Sequence, residues 1–257
     1  MPLIKNEIPI LEFDSEAIAM IHPAHHLEKI APSPYCVMTF FQGVIEELKQ
    51  SHQLRLLTEL RSEAGKHPIY LYNLNGIEVG IVHPMIGGPF AAGIMEECIA
   101  LGFTKFIACG GCGVLRKDLT VGHLIIPTEA LRQEGTSYQY LPPSRTVSLA
   151  QDVIHVIEEV LRVEGIPYVK GMTWTTDAIY RETKELVGHR KQEGCLCVEM
   201  ECASFAAVAA FRHVRFGQIL YGGDDLSSEE WSSRNWVSRH DIRSGLVQLA
   251  VKAVILL

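Results

Sequence analysis

The sequence predicts an α/β fold: a single-domain three-layer αβα sandwich in which helices cover both faces of a mixed central sheet. Three observations point there. Short apolar runs alternate with amphipathic helical patterns along the chain, the order that builds a parallel or mixed sheet. Two β-rich runs, Ile69 to Leu74 and Ile77 to Val82, flank Asn75-Gly76, a dipeptide that tolerates positive φ at both positions and so closes a hairpin. No repeat, low-complexity tract or linker-like run interrupts the sequence, so residues 1–257 are assigned to one domain.

The elements follow in order. Ala17 to Ile21 (AIAMI) reads as a first buried strand, with His22, His25 and His26 in the loop leaving it. After the hairpin, Gly87-Gly88-Pro89 leads into a helix from Phe90 to Leu101, closed by Gly102 in the left-handed cap position. Phe106 to Cys109 is a short buried strand entering a turn, Gly110-Gly111-Cys112-Gly113, and His123 to Pro127 is another strand. Apolar residues at 149, 153, 156, 157, 160 and 161 form the stripe of an amphipathic helix, Leu149 to Val163, ended by Gly165. Val169 to Met172 and Gln218 to Tyr221 are further strands, separated by an Ala-rich helix from Glu201 to Phe211, and the last 16 residues read as a helix.

Composition narrows the function classes. The hydrophobic share of 47% and charged share of 21% are those of a soluble globular protein with a sizeable core. Thirty acidic residues against 23 Lys and Arg leave a net charge of −7, which argues against a nucleic-acid binder but leaves room for a locally positive pocket. The N-terminal residues lack the basic start and long apolar run of a signal peptide, and no apolar stretch is long enough to span a bilayer. Seven cysteines, an odd count, fit a reduced, cytoplasmic protein better than a disulfide framework.

Open α/β sheets bind ligands beyond the carboxyl ends of their strands, and three segments lie at such ends. The GGCG turn lets a backbone approach a ligand, and could equally be a tight strand exit. Cys109 and Cys112 form a C-x-x-C, but no second ligand pair accompanies it, so no metal site is expected. Glu199-Met200-Glu201 opens the Ala-rich helix. Acids suit a helix N-terminus electrostatically, yet acids beside a close-packed core also need partners, and paired sugar hydroxyls are good ones. Asp224 and Asp225 follow a buried strand, where either chemistry or a solvated turn would place them.

In this order the motifs resemble those of the nucleoside phosphorylase family, which includes purine nucleoside phosphorylase, uridine phosphorylase and the methylthioadenosine nucleosidases. Val198-Glu199-Met200-Glu201 is similar to the family's V-E-M-E-x-A signature, Ile107 to Leu115 to its glycine-rich strand, and Gly223-Asp224 to the Ser-Asp of purine-handling members. The resemblance implies a ribose site at Glu199, Met200 and Glu201, with Glu201 on the 2′ and 3′ hydroxyls and Met200 packed on the sugar. It implies a base side at Thr176, Ile179 and Tyr180, an acid at Asp224 that protonates or hydrogen-bonds the leaving base, and Arg239 as that acid's partner. The family's phosphate contacts are altered. Where relatives carry an arginine after the first strand, an arginine before the glycines and a serine or threonine among them, this chain has His22-Pro23-Ala24-His25-His26, Ala108 and Gly111. His22, His26 and Lys66, with Gly110 and Gly111, are the replacements at hand. The expected activity is phosphorolysis of a ribonucleoside to ribose 1-phosphate and free base, with phosphate as co-substrate, no cofactor, no metal, and a homo-oligomer (dimer or hexamer) as the working form. A hydrolytic nucleosidase and a non-catalytic nucleoside-binding protein are the alternatives.

Overall fold

The computed structural model describes residues 4–257. One mixed sheet organises the chain. Its strands are β1 (Tyr35–Thr39), β2 (Leu54–Ser62), β3 (Gly65–Leu74), β4 (Ile77–Val82), β5 (Lys105–Val114), β6 (Leu124–Gln133), β7 (Thr146–Ser148), β8 (Tyr168–Thr176), β9 (Cys195–Glu199) and β10 (Arg215–Asp225). The order across it is β10-β6-β8-β9-β5-β1-β4-β3-β2, with β7 on β6. β10 also pairs in parallel with β5, so β5, β10, β6, β8 and β9 close on themselves as a small barrel. Its interior is filled by Cys112, Val114, Ile125, Cys197 and Leu220.

Helices cover the sheet as an αβα sandwich. They are α1 (Gln42–Gln50), α2 (Gly88–Leu101), α3 (Gln151–Val163), α4 (Lys184–Gln192), α5 (Cys202–Arg212) and α6 (His240–Val254). α2 packs on α5, and α1 and α3 pack on α6. The Asn75-Gly76 hairpin forms with φ of +53° and +89°, and Gly102 caps α2 in the left-handed region at +112°. None of the described helices is long and apolar enough to cross a membrane.

Two sequence expectations need correction. Ala17 to Ile21 is not a strand. It lies on the surface, with Ile18 69%, Met20 100% and Ile21 88% exposed. The first strand is Tyr35–Thr39, whose Cys36, Val37 and Met38 are buried and whose register joins β4 to β5. A five-residue apolar run reads the same whether a sheet or open solvent receives it. The loop leaving the first strand is therefore Phe40-Phe41, not the histidine segment. The GGCG segment is also not a turn: β5 runs straight through it in register with β10, from Lys105 opposite Arg215 to Cys112 opposite Gly222.

Glycine in these strands makes room for what lies above them. A methyl group on Gly217 would lie 2.6 Å from Val153 Cγ1 and 2.8 Å from Ile157 Cδ1, so α3 sits directly on the β10 backbone. Gly217→Ala should lower stability by about 1–3 kcal/mol through overpacking, read as a lower urea midpoint at unchanged slope. An unshifted midpoint would mean that α3 is not seated there.

Candidate functional site

A cleft of about 320 Å³ opens at the carboxyl ends of β1, β5, β9 and β10, within the size range of small-molecule sites. Its walls include Phe40, Phe41, the Gly110 to Gly113 backbone, Glu199, Met200, Glu201, Gln218, Asp224, Trp236 and Arg243. A second pocket, between α1, α6 and the β3–β4 hairpin, is apolar, and its one charged residue, Lys252, is bonded to Glu164. The chemistry is in the first.

The two glutamates of the Glu199-Met200-Glu201 segment are not equivalent. Glu199 ends β9, buried. One carboxylate oxygen accepts from Thr175 Oγ1 (2.6 Å) and Thr173 Oγ1 (3.4 Å), the other from the backbone N–H groups of Glu201 (2.8 Å) and Cys202 (2.6 Å). Thr175 Oγ1 also accepts from the Ala203 N–H (3.0 Å). Together they satisfy the first free amides of α5. Burial pushes the Glu199 carboxyl up, against the lowering effect of these four bonds. Glu201 is also buried, and among the described residues its one well-formed hydrogen bond comes from the Gly87 N–H (2.6 Å), with the Met200 N–H as a weaker neighbour. Its carboxyl is pushed up to about 8 by burial and then by the charge of Glu199. Gly87 can present that amide because it sits at φ +93°, in a loop where Met85 is also left-handed at +65°. Glu201 thus keeps acceptor capacity, and Glu199 has spent its own.

At the other end, Asp224 accepts a 2.7 Å hydrogen bond from Trp231 Nε1. Glu182 lines the same cleft, its carboxyl raised to about 7 by burial and then by the charge of Asp224. Arg239, at the start of α6, lies 3.6 Å from Asp241 and makes no bond to Asp224. Arg234 supports the Asp224 segment instead, donating to the carbonyls of Gly223 (2.9 Å), Asp224 (3.2 Å) and Leu119 (2.9 Å).

Of the remaining sequence candidates, Met200 and Ile179 line the cleft. Thr176 is buried at the end of β8 and accepts from the Ala178 N–H (3.2 Å), while Tyr180 is 96% exposed. His22, His26 and Lys66 do not line the cleft. His22 and His26 lie on the surface segment, His26 along the groove over α2, and Lys66 pairs with Glu59 on the β2–β3 edge. Gly110 and Gly111 do line it, but as strand residues. A methyl group on Gly110 would lie 2.9 Å from the Phe40 ring, and one on Gly111 2.8 Å from the Trp236 ring. These glycines admit aromatic rings, one on each face of β5. Cys109 and Cys112 are buried free thiols, with Cys109 pushed up to about 12 by burial.

Several cleft residues have weak sequence signals. Glu182 and Arg243 read as ordinary charges beside helices. Gln218 was more visible, as an amide inside an otherwise apolar strand, and the spacing of Gly110, Gly111 and Gly113 already implied close packing.

The Glu201 environment has a consequence for stability. Between pH 4.5 and 8 the folded chain holds a proton that the unfolded chain has released, so raising pH across that window favours unfolding. The wild-type melting temperature should fall from pH 5 to pH 8, a loss on the order of a few kcal/mol. Glu201→Gln should flatten the fall and melt higher at pH 8. Parallel curves for both proteins would show that Glu201 does not hold that proton.

The comparisons agree with this architecture. A guanosine phosphorylase of Halorubrum lacusprofundi is 29% identical over 162 residues, covering 63% of this chain and 67% of the relative. A uridine phosphorylase of Thermococcus kodakarensis is 27% identical over 183 residues, covering 66% of this chain and 64% of the relative, so the aligned part spans about two thirds of each relative's length. The uridine phosphorylase structure from Vibrio fischeri superposes with a TM-score of 0.76 at 20% identity, covering 92% of this chain and 97% of the other, a likeness of fold. The family model of the phosphorylase superfamily matches residues 34–255, from the first strand into the end of the last helix, and the chain belongs to that superfamily.

Proposed function

We propose that this protein cleaves the N-glycosidic bond of a ribonucleoside with phosphate, giving free base and ribose 1-phosphate. The observation that carries the reading is Glu201, a buried carboxyl with one well-formed hydrogen bond among the described residues, in the same cleft as Asp224. Once the ligand's hydroxyls displace the proton that burial holds on it, the Glu201 carboxylate has open lone pairs that call for donors, and the vicinal hydroxyls of ribose supply two. Met200 offers an apolar surface for the sugar ring, and Ile179 one for the base. Glu199 supports this site from below by holding Glu201 and the start of α5.

In the reaction the C1′–N bond breaks and its electron pair leaves with the base. A phosphate oxygen bonds to C1′. Positive charge grows on the sugar beside Glu201 and negative charge on the base beside Asp224. A proton delivered at the Asp224–Glu182 end neutralises the departing base, and Glu182, with its carboxyl near 7, is suited to hold that proton at neutral pH. Arg239, near the cleft end of α6, remains a candidate partner for Asp224 once a base is bound. The reaction needs phosphate and no cofactor. We further place the enzyme in the cytoplasm as a homo-oligomer, a dimer or hexamer; the exposed Ile18, Met20, Ile21 and Tyr180 support such an interface. Sedimentation at micromolar concentration should give a species of at least two chains.

Hydrolysis is the second reading, favoured by Phe40, Phe41, Ala108 and Gly111 at the positions where the family resemblance implies phosphate contacts. Turnover of inosine, adenosine and uridine, with and without phosphate, separates the two. Phosphorolysis predicts phosphate-dependent base release with ribose 1-phosphate, and free ribose independent of phosphate would replace it with hydrolysis. Glu201→Gln should cut turnover at least about a hundredfold, and Asp224→Asn should lower kcat far more than it raises KM. Equal losses in kcat and affinity would make Asp224 a binding contact only.

A further inference from the structure

We propose that the oxyanion in this cleft is held by Arg243 of α6 together with the side-chain amide of Gln218 of β10. The inference rests on the phosphorolytic reading and assigns its co-substrate, inorganic phosphate, to residues other than the histidines and lysine. The three positions at which the family resemblance implies phosphate contacts are occupied here by Phe40-Phe41, Ala108 and Gly111, and all lie at one end of the cleft or in the strand beneath it. Arg243 reaches that end from the opposite side. Its guanidinium lies over the Phe41 ring (5.3 Å) and the Trp236 ring (5.2 Å), and Trp236 in turn lies on Gly111. Its Nε donates to Tyr221 Oη (3.1 Å), and the Tyr221 hydroxyl donates to the Trp236 carbonyl (3.0 Å).

The guanidinium is therefore fixed in plane, and among the described residues its two terminal nitrogens meet no acceptor and no carboxylate. A planar, half-buried fork with free donors matches an oxyanion through two parallel bonds. Among the described residues it is also the only lysine or arginine lining a cleft that holds Glu182, Glu199, Glu201 and Asp224.

Gln218 is an independent sign. It sits opposite Ala108 in the β5–β10 register, is 1% exposed, lines the cleft, and among the described residues has no hydrogen-bond partner for either amide atom. A buried amide left unpaired is costly and persists where something supplies its partners. Its N–H₂ can donate to the same anion, and its carbonyl can accept from a protonated phosphate oxygen.

Phosphate titrations at saturating nucleoside, with nucleoside titrations alongside, test this on the full-length protein. Arg243→Ala should raise the phosphate KM roughly ten- to a hundredfold while the nucleoside KM stays within about twofold, and Arg243→Lys should recover part of the loss. Gln218→Met, close in volume, should raise the phosphate KM severalfold and yet melt higher than wild type, because it removes an unpaired amide. A purely structural role for Gln218 would move stability alone. If Arg243→Ala does not fold, Arg243→Lys and Gln218→Met carry the test. Phosphate-dependent wild-type turnover with unchanged phosphate KM in these variants overturns the assignment and leaves phosphorolysis standing. Turnover indifferent to phosphate overturns phosphorolysis and the assignment with it. If nucleoside 5′-monophosphates are the better substrates and the variants lose only that preference, the anion is the substrate's own and inorganic phosphate is not the ligand.

Discussion

The Glu199 carboxylate is the contact from which the rest of the site is built. Four donors converge on it: two threonine hydroxyls from β8 and the first two backbone amides of the β9–α5 junction. This lets an extended strand become a helix inside the core with almost no loop, and a helix start buried without such partners would be costly. The junction leaves Met200 and Glu201 at the cleft wall. Because Glu199 is consumed by structure, Glu201 is the acid left for a ligand. Burial, and then the charge of Glu199, raises its carboxyl, so this geometry costs stability at alkaline pH.

A second constraint runs along β5. Its three glycines sit in regular strand geometry, and their missing side chains make room for Phe40, Trp236 and Leu226. Through Trp236 the strand positions Arg243, and through Gly113 it leaves room for the Asp224 carboxylate, whose Oδ1 lies 3.4 Å from where a methyl group would stand. The glycine-rich strand of the superfamily thus serves in this chain as a surface for aromatic rings. The cation that such a cleft requires comes from the last helix.

Much of the fold was legible in the sequence. The hairpin at Asn75-Gly76, the α2 cap at Gly102, the α3 stripe and the V-E-M-E segment are local signals, each carried by a few adjacent residues whose backbone or periodicity has one low-cost outcome. The early elements were harder. Ala17–Ile21 and Cys36–Met38 are both short apolar runs, and only the pairing of β1 between β4 and β5 distinguishes the buried one. That choice also decided which residues leave the first strand, and so which groups stand at the β1 end of the cleft.

By itself, then, the sequence determined the fold class, the presence of the V-E-M-E segment and the family, because these rest on local pattern and on motif order. Tertiary structure alone decided which glutamate is free, that Arg234 rather than Arg239 braces Asp224, that His22, His26 and Lys66 lie away from the cleft, and that Glu182, Gln218 and Arg243 line it. The physical reason is that hydrogen-bond saturation, burial and ring stacking are properties of residues far apart in the chain: Glu201 and Gly87 are 114 positions apart, and Arg243 and Tyr221 belong to different elements. No spacing in the sequence encodes such contacts; the closed barrel and the helices packed on it bring them together.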